Sequence, residues 1–165
     1  MSTIDRSRQA TDPRKHYAGV RMQQGRVLTD DDFNDAAALD ADELRRTRVH
    51  AIGAYGTPDA GFLPKNLTVV GGKIDFALST GNLYLGGLRL EMTQEETFLL
   101  QKDWLNFDIA VDAPPAPASG ITRIDAVWVE TWQQPVTAIE DSELFEVALG
   151  GPDSSTRWRT NAAST

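Results

Sequence analysis

Clustered acidic side chains are the first candidates for chemistry in this sequence. Glu130 and the close group Glu140, Asp141 and Glu143 could supply the two carboxyl groups that cleave a glycosidic bond. That reaction needs a set separation between the two carboxyl groups, which the sequence does not fix. The competing interpretation is that these carboxylates lie at a strand edge and in a turn, where they face water. Glycan cleavage is therefore the third of our hypotheses, behind the two developed below.

A second acidic group resembles the first half of a calcium-binding loop. Asp30, Asp32 and Asn34 have the alternating spacing that such a loop requires. The sixth position is Asp35 instead of glycine, and the twelfth is Ala41 instead of a carboxylate that binds calcium through both oxygens. The same acids suit the first turn of a helix, where the helix dipole favours negative charge. We therefore expect helix capping and no calcium.

Other reactive groups and binding motifs are sparse. The chain has no cysteine, which excludes a disulfide framework, a thiolate metal site and a cysteine nucleophile. His16 and His50 have no third ligand at a recognisable metal spacing. Neither the Gly-x-Ser-x-Gly nucleophile motif nor a phosphate-binding or dinucleotide-binding glycine loop occurs. We expect no enzyme activity, no metal and no cofactor.

Basic side chains concentrate at the N-terminus. Residues 1–26 hold six basic and two acidic side chains, a net charge of +4, so the rest must carry −12 to give the total of −8. A basic segment on an acidic body can guide docking between subunits, because complementary potentials fix register. The competing interpretation is a loose, solvated terminus. We predict an extended docking arm over residues 1–28. The predicted partner-contacting residues are Arg6, Arg8, Arg14, Lys15, His16, Tyr17, Arg21 and Trp158.

The tryptophans support an alternative, non-catalytic function. Trp104, Trp128, Trp132 and Trp158, with Tyr84, could form a platform on which sugar rings stack. The chain would then be a carbohydrate-binding module. Burial in the core is the competing interpretation, which we expect to hold for Trp128 at least, whereas Trp158 is the best interface candidate.

One helix stands out as the element that follows the arm. Thr29 can cap its N-terminus, and three aspartates fall in the first turn. The residues that lie near one face at helical spacing are Phe33, Ala36, Ala37, Leu44 and Ala51. We predict a helix from about 30 to about 50, within a segment of 29–52, that stops at Gly53.

The sequence after residue 66 predicts antiparallel strands. Short runs rich in Leu, Val and Ile are separated by Gly-Gly or Thr-Gly pairs, which is typical of hairpins. We predict a β-domain over 66–158, arranged as a meander or sandwich, and an α+β, mainly β, fold class. Residues 113–120 predict a surface loop, and 121–132 a long central strand that is buried on much of both faces. Residues 159–165 predict a linker or a truncated C-terminal end.

Charge and hydropathy exclude some partners. A net charge of −8 argues against general nucleic-acid binding, which relies on basic surface. No stretch approaches the ~20 apolar residues that a membrane helix needs, and the N-terminus lacks the pattern of a signal peptide. We expect neither nucleic-acid binding nor membrane insertion.

Three stretches of the sequence carry a family resemblance. The first is 12–34, which begins Asp-Pro-Arg-Lys-His-Tyr-Ala-Gly; the second combines 74–76 with 82–88; the third combines 127–141 with 146–153, which contains Gly-Gly-Pro-Asp. Together they resemble a bacterial domain family of unknown function encoded in phage-tail-like and extracellular contractile injection gene clusters. Asp32, Phe33 and Asn34 stand where the family usually has an acid followed by Trp-Asn. That change keeps an aromatic residue on the helix.

The resemblance implies a structural role with no catalytic residues. Family members often precede fibre-like or β-helix regions, so the expected function is a baseplate-peripheral or tail-fibre attachment subunit. The expected partners are baseplate, sheath or fibre proteins and further copies of this chain, with a trimer expected by analogy. Assembly would occur in the cytoplasm, in a particle that can be released from the cell. Relatives generally continue after the Gly-Gly-Pro-Asp stretch, so a further C-terminal region is expected.

Overall fold

A computed structural model describes residues 11–104, 106–146, 148 and 155–165. Over these residues the chain forms one α-helix and eight strands, all paired antiparallel. The predicted fold class, α+β and mainly β, is confirmed. Three short 3-10 helices complete the secondary structure: Pro13–Lys15, Phe98–Leu100 and Ser142–Leu144.

Helix α1, Asp30–Ile52, begins and ends where the sequence predicted. Thr29 is the extended N-cap residue, although its hydroxyl donates to the carboxylates of Asp31 and Asp32 instead of accepting from the backbone. Asp31 and Asp32 thus hold the cap, and all three first-turn acids lie at the positive end of the helix dipole. At the other end Gly53, with φ of 101°, donates its N–H to the carbonyl of Val49 at 2.9 Å.

Helix α1 lies at the edge of the fold. None of its residues is buried, and Phe33 and Leu44 on the predicted apolar face are 67% and 50% exposed. Contacts to the β-structure come from arginines near its C-terminal end: Arg45 donates to the carbonyl of Gly86 at 2.7 Å. The helix is therefore joined to the body through polar contacts, with most of its apolar face open.

The strands form three small antiparallel sheets. The first contains β1 (Tyr55–Gly56), β4 (Gly81–Leu85) and β5 (Leu88–Met92); the second contains β2 (Pro64–Val70), β3 (Lys73–Leu78) and β6 (Glu96–Thr97); the third contains β7 (Val129–Val136) and β8 (Arg157–Ser164). Strand β4 lies in the middle of the first sheet, and β3 lies in the middle of the second.

Two hairpins close through Gly-Gly pairs, as the sequence predicted. Gly71 and Gly72 have φ of 58° and 77°, and Gly86 and Gly87 have φ of 56° and 79°. Two consecutive positive φ angles define the two-residue turn whose twist matches that of antiparallel strands, and glycine adopts them without steric cost. The turns fix the register of β2 on β3 and of β4 on β5.

The hydrophobic core gathers around β3. Ile74, Phe76 and Leu78 pack with Phe98 and Leu99, and the rings of Phe76 and Phe98 stack with centroids 5.0 Å apart. The intervening residues Asp75 and Ala77 of β3 are buried too.

Asp75 is a charged residue within this buried strand. Its side chain is only 8% exposed, and Oδ1 accepts hydrogen bonds from the backbone N–H groups of Phe76 at 2.9 Å and Leu99 at 3.1 Å. The second bond holds Phe98–Leu100 in a 3-10 turn. Strand β6 therefore ends at Thr97, because Leu99 donates to a carboxylate instead of to a neighbouring strand.

The Pro-rich segment 113–120 is only partly the surface loop that was predicted. Ala113 is 2% exposed and belongs to the core, and the carbonyl of Pro114 accepts from the backbone of Ile74 at 2.9 Å. Ala116 likewise donates to the carbonyl of Gly72 at 2.9 Å. The start of the segment thus lies along β3, while residues 117–120 are exposed.

The long central strand predicted at 121–132 is wrong in both position and burial. Strand β7 begins only at Val129, and residues 121–128 are exposed throughout. Trp128, which was expected in the core, is 59% exposed. The apolar residues of 121–132 favour a strand buried on two faces. Within the described residues, however, no other strand pairs with 121–127.

The linker predicted at 159–165 is also wrong, because most of it belongs to β8. The register pairs Val129 with Ser164 and Val136 with Arg157. The outer edge of β8 is covered by side chains: Gln101 exchanges hydrogen bonds with the backbone of Ser164, and Asp103 accepts from Ala162 at 2.9 Å. Small residues fit here because the backbone makes these bonds. The division of the chain into domains stays a prediction.

Candidate docking surface

The N-terminal segment is the most exposed part of the described chain. Residues 13–28 are exposed without exception, and the segment forms no regular element beyond Pro13–Lys15. Arg6 and Arg8, predicted to contact partners, lie outside the described residues. The remaining predicted contacts of the segment, Arg14, Lys15, His16, Tyr17 and Arg21, all lie on the exposed stretch.

A local turn organises the start of this segment. Asp12 Oδ1 accepts from the backbone N–H of Arg14 at 3.0 Å, and the Arg14 guanidinium binds both carboxylate oxygens of Asp12, at 3.1 and 3.0 Å. These hydrogen bonds from Arg14 lower the pKa of Asp12. The Arg14 side chain is still 90% exposed. Its charge is thus partly balanced within the segment but stays open to a partner.

The residues after the turn present cationic and aromatic groups together. His16 adopts a left-handed φ of 54° and closes the turn by donating its N–H to the carbonyl of Pro13. The ammonium of Lys15 lies 5.9 Å from the centre of the Tyr17 ring, within the range of a cation–π contact. The chain direction therefore changes at His16 and places Tyr17 beside a positive charge.

A groove lies between this segment and helix α1. Tyr17 and Val20 line one side of it and Asp35 and Leu39 the other, around a volume of about 250 Å³. Apolar side chains continue beyond the groove: Met22, Val27, Leu28 and Phe33 are 52%, 83%, 58% and 67% exposed. We call residues 11–28 together with Phe33, Asp35 and Leu39 the N-terminal surface. It combines positive charge with exposed apolar area.

Trp158 is far from the N-terminal surface in the sequence. It lies on β8 opposite Pro135 and is 62% exposed. Trp132 lies on β7 opposite Asn161, and successive residues of a strand point to opposite faces. Because 158 and 161 differ by an odd number, Trp132 and Trp158 face opposite sides of the hairpin.

Trp104, Trp132 and Trp158 therefore do not share one flat face on which sugar rings could stack. Trp104 is half-buried and packs against Phe98 and Phe107, with ring centroids 6.5 and 4.7 Å away. Together with the opposite facing of Trp132 and Trp158, this packing does not favour the carbohydrate-binding alternative, which stays a prediction.

Two of the four acidic candidates contribute to local backbone structure. Glu140 accepts from the backbone of Thr137 at 3.3 Å, and Asp141 accepts from that of Glu143 at 3.1 Å, so both stabilise a turn. No group of three or more His, Cys, Asp or Glu that could hold a metal occurs within the part of the chain that the structure describes. In that same part no helix is long and apolar enough to cross a bilayer.

Sequence reasoning missed the contact that attaches the helix. Arg45 and Arg48 donate to the carbonyls of Gly86 and Gly87 at 2.7 and 3.4 Å. Arg48 also lies over the Tyr84 ring, 6.0 Å from its centre. The Gly-Gly turn is a sequence signal, because it lets another segment approach the backbone closely. The sequence does not show that this segment is helix α1.

These features define a small, mainly β protein with a peripheral helix and an exposed N-terminal surface. The chain belongs to a family of unknown function, DUF6519, whose model matches residues 3–161. Comparisons with curated proteins and with solved structures found no match.

Proposed function

We propose that this protein is a structural assembly subunit of a phage-tail-like contractile injection particle, at the baseplate periphery or at a fibre attachment site. The specific assignment to such particles rests on the resemblance of 12–34 and of 127–141 with 146–153. In this proposal the N-terminal surface docks on neighbouring subunits and the β-structure forms the body. Further copies of the chain belong among its partners, and a trimer is the expectation by analogy with fibre parts.

The observation that carries the proposal is the exposure of residues 13–28. They are exposed throughout, yet they hold Tyr17, Met22, Val27 and Leu28, which a solvated tail does not need. A segment that buries so little apolar area does not order itself, and gains order by binding a partner. Its net positive charge suits an acidic neighbour, because complementary charge directs association.

Mass spectrometry of purified intact particles is the test of this proposal. Particles would be isolated from cells that express the gene cluster, with a strain lacking only this gene as the control. The expected result is that the chain copurifies with sheath and baseplate proteins in a constant ratio, and that the control strain yields incomplete particles. Absence of the chain from every assembled particle would overturn the proposal.

A further inference from the structure

Helix α1 leaves one apolar side uncovered in the part of the chain that the structure describes. Phe33, Ala37, Leu44 and Ala51 lie four or seven residues apart, so they share one side of the helix, and each of them is exposed. We call these four residues the helix stripe. An apolar stripe on a surface helix normally faces another element, because contact with that element removes it from water.

Negative charge accompanies the helix stripe. Residues 30–43 hold seven acidic and no basic side chains. Asp40 lies seven residues after Phe33 and four before Leu44, and is therefore on the same side of the helix, with Glu43 beside it. Within the described residues, the side chains of Asp40 and Glu43 have no ion pair. A partner that fits this side of the helix needs apolar and basic side chains together.

The segment just before the helix has this combination of side chains. In residues 21–28 the chain turns, with Arg26 donating its N–H to the carbonyl of Gln23 at 3.3 Å and Gly25 adopting a φ of 73°. We call residues 21–28 the arm turn. It contains no acidic residue, and its exposed apolar and basic side chains are Met22, Val27, Leu28, Arg21 and Arg26.

The apolar end of the arm turn is too close to the start of the helix to cover the stripe of its own chain. Val27 and Leu28 precede Asp30 by three and two residues, which a chain spans over at most about 11 and 7 Å. Leu44 lies about 21 Å further along the helix axis, at a rise of 1.5 Å per residue. Within one chain, Val27 and Leu28 can therefore approach Phe33 but not Leu44.

We propose that the arm turn of one copy of this chain docks on the helix stripe of a second copy, with Arg21 and Arg26 beside Asp40 and Glu43. The inference rests on the proposed function, in which the N-terminal surface docks on neighbouring subunits, and it names a second copy as one of those neighbours. Complementary charge favours this contact, whereas two arm turns, or two helix stripes, would set like charges against each other.

The two surfaces in this contact are different, so the contact runs head to tail. A head-to-tail contact repeats from copy to copy until its rotation closes a ring. A ring of three copies is the trimer expected under the proposed function. Each copy in the ring buries its arm turn on one neighbour and its helix stripe on the other.

Cross-linking of mixed cysteine variants tests the contact, because the natural chain has no cysteine. Full-length copies with Val27→Cys are mixed with copies with Leu44→Cys and treated with a short bifunctional maleimide. Each copy holds one thiol, so a cross-link between positions 27 and 44 has to join two copies. In the control mixture Ile139→Cys replaces Leu44→Cys, because Ile139 is also exposed but lies outside the helix stripe.

We expect the mixture of Val27→Cys and Leu44→Cys to give a covalent dimer. Each variant alone and the control mixture should stay mostly monomeric. Equal cross-linking in the test and control mixtures, or none in either, would overturn the inference.

Charge reversal supplies a second test. Arg21→Glu with Arg26→Glu, and separately Asp40→Lys with Glu43→Lys, set like charges against each other across the contact. In sedimentation equilibrium at low salt, the natural chain should have at least twice the 18.1 kDa mass of one copy, and either double variant should have the mass of one copy. The variant with all four substitutions should recover the mass of the natural chain, because opposite charges meet again.

Lys65→Glu with Arg89→Glu is the matched control, because it changes the net charge as much as the arm-turn variant does, at exposed positions elsewhere. It should associate as the natural chain does, and circular dichroism would show that each variant keeps its fold. A monomeric natural chain, or a folded four-substitution variant that stays monomeric, would overturn the inference. The proposed function would then still stand if the chain is present in purified particles, whereas absence from particles would refute that function whether or not the chain self-associates.

Discussion

The guanidinium of Arg45 donates a hydrogen bond to the carbonyl oxygen of Gly86 at 2.7 Å, and this bond joins helix α1 to the β4–β5 turn. The next residue of the turn, Gly87, lies so close to the helix that a Cβ there would overlap the carbonyl oxygen of Arg45. The helix is therefore held by a close approach of backbone to backbone, which only glycine at that position permits.

Gly87→Ala should separate the helix from the β4–β5 turn. Gly72→Ala is the matched control, because Gly72 has nearly the same φ, 77° against 79°, and has open space around it. Both variants carry the cost of a left-handed alanine, about 1–2 kcal/mol. The overlap with Arg45 should add about 1–3 kcal/mol for Gly87→Ala. Equal losses in urea unfolding of the two variants would show that the helix does not pack on this turn.

Asp75 should be the most sensitive polar position of the core. Asp75→Ala leaves the N–H groups of Phe76 and Leu99 without their acceptor in a buried site, which we expect to cost about 2–4 kcal/mol in the free energy of unfolding. Asp75→Asn keeps an acceptor oxygen and should cost less. Denaturant unfolding measures both values, and a loss below about 0.5 kcal/mol for Asp75→Ala would mean that water replaces the carboxylate.

Asp59 should make stability depend on pH in the acid range. Its carboxylate accepts from the backbone N–H and the side-chain amide of Asn82, at 2.8 and 2.7 Å, and these bonds hold the pKa of Asp59 below its ordinary value. A lowered folded-state pKa gives stability that is complete above the unfolded-state pKa and is lost as pH falls through the folded-state pKa.

The test for Asp59 compares thermal unfolding of the natural chain and Asp59→Asn across pH. The variant should be less stable at neutral pH, and the difference should shrink below about pH 4, as the natural carboxyl takes up its proton. In an Asn82→Ala background, Asp59→Asn should have a smaller pH-dependent effect. If the difference in stability between the two proteins is constant with pH, the negative charge of Asp59 is not the cause of the stabilisation.

Local signals in the sequence explain which elements could be predicted. Helix α1 follows from its first-turn acids and Gly53, and the hairpins follow from their Gly-Gly turns, since each signal acts within a few residues. Strand β8 could not be predicted in this way. Its small polar residues form a strand only because β7 pairs with one edge and Gln101 and Asp103 cover the other.

Candidate sites that depend on local signals could also be predicted, whereas those that depend on distant residues could not. The exposed basic segment could be predicted from the sequence. Its net charge is positive, and its few apolar residues and a proline argue against independent order. The burial of Trp128 was predicted wrongly, because alternation shows that a segment suits a sheet without showing that a partner strand is present. Likewise, the role of Arg45 depends on Gly86, 41 residues away in the chain.

Salt should weaken attachment of the chain to its particle. Exposed charges are screened over about 8 Å at physiological ionic strength and about 3 Å at 1 M. We expect washing of purified particles at 1 M NaCl to release the natural chain. A variant in which Arg6, Arg8, Arg14 and Lys15 are replaced by Gln should attach weakly at every salt concentration, whereas Arg89→Gln should behave as the natural chain. Retention that does not change with salt would argue for a mainly apolar contact.

Incorporation of a chain that lacks residues 2–14 tests the central claim most directly. The measurement is the amount of this chain per particle, by quantitative mass spectrometry, alongside its thermal unfolding in solution. Because residues 13–28 are exposed, we expect the shortened chain to unfold at the natural temperature and to be absent from particles. Incorporation at the natural level, or loss of the fold in solution, would contradict the proposal that this segment docks the subunit.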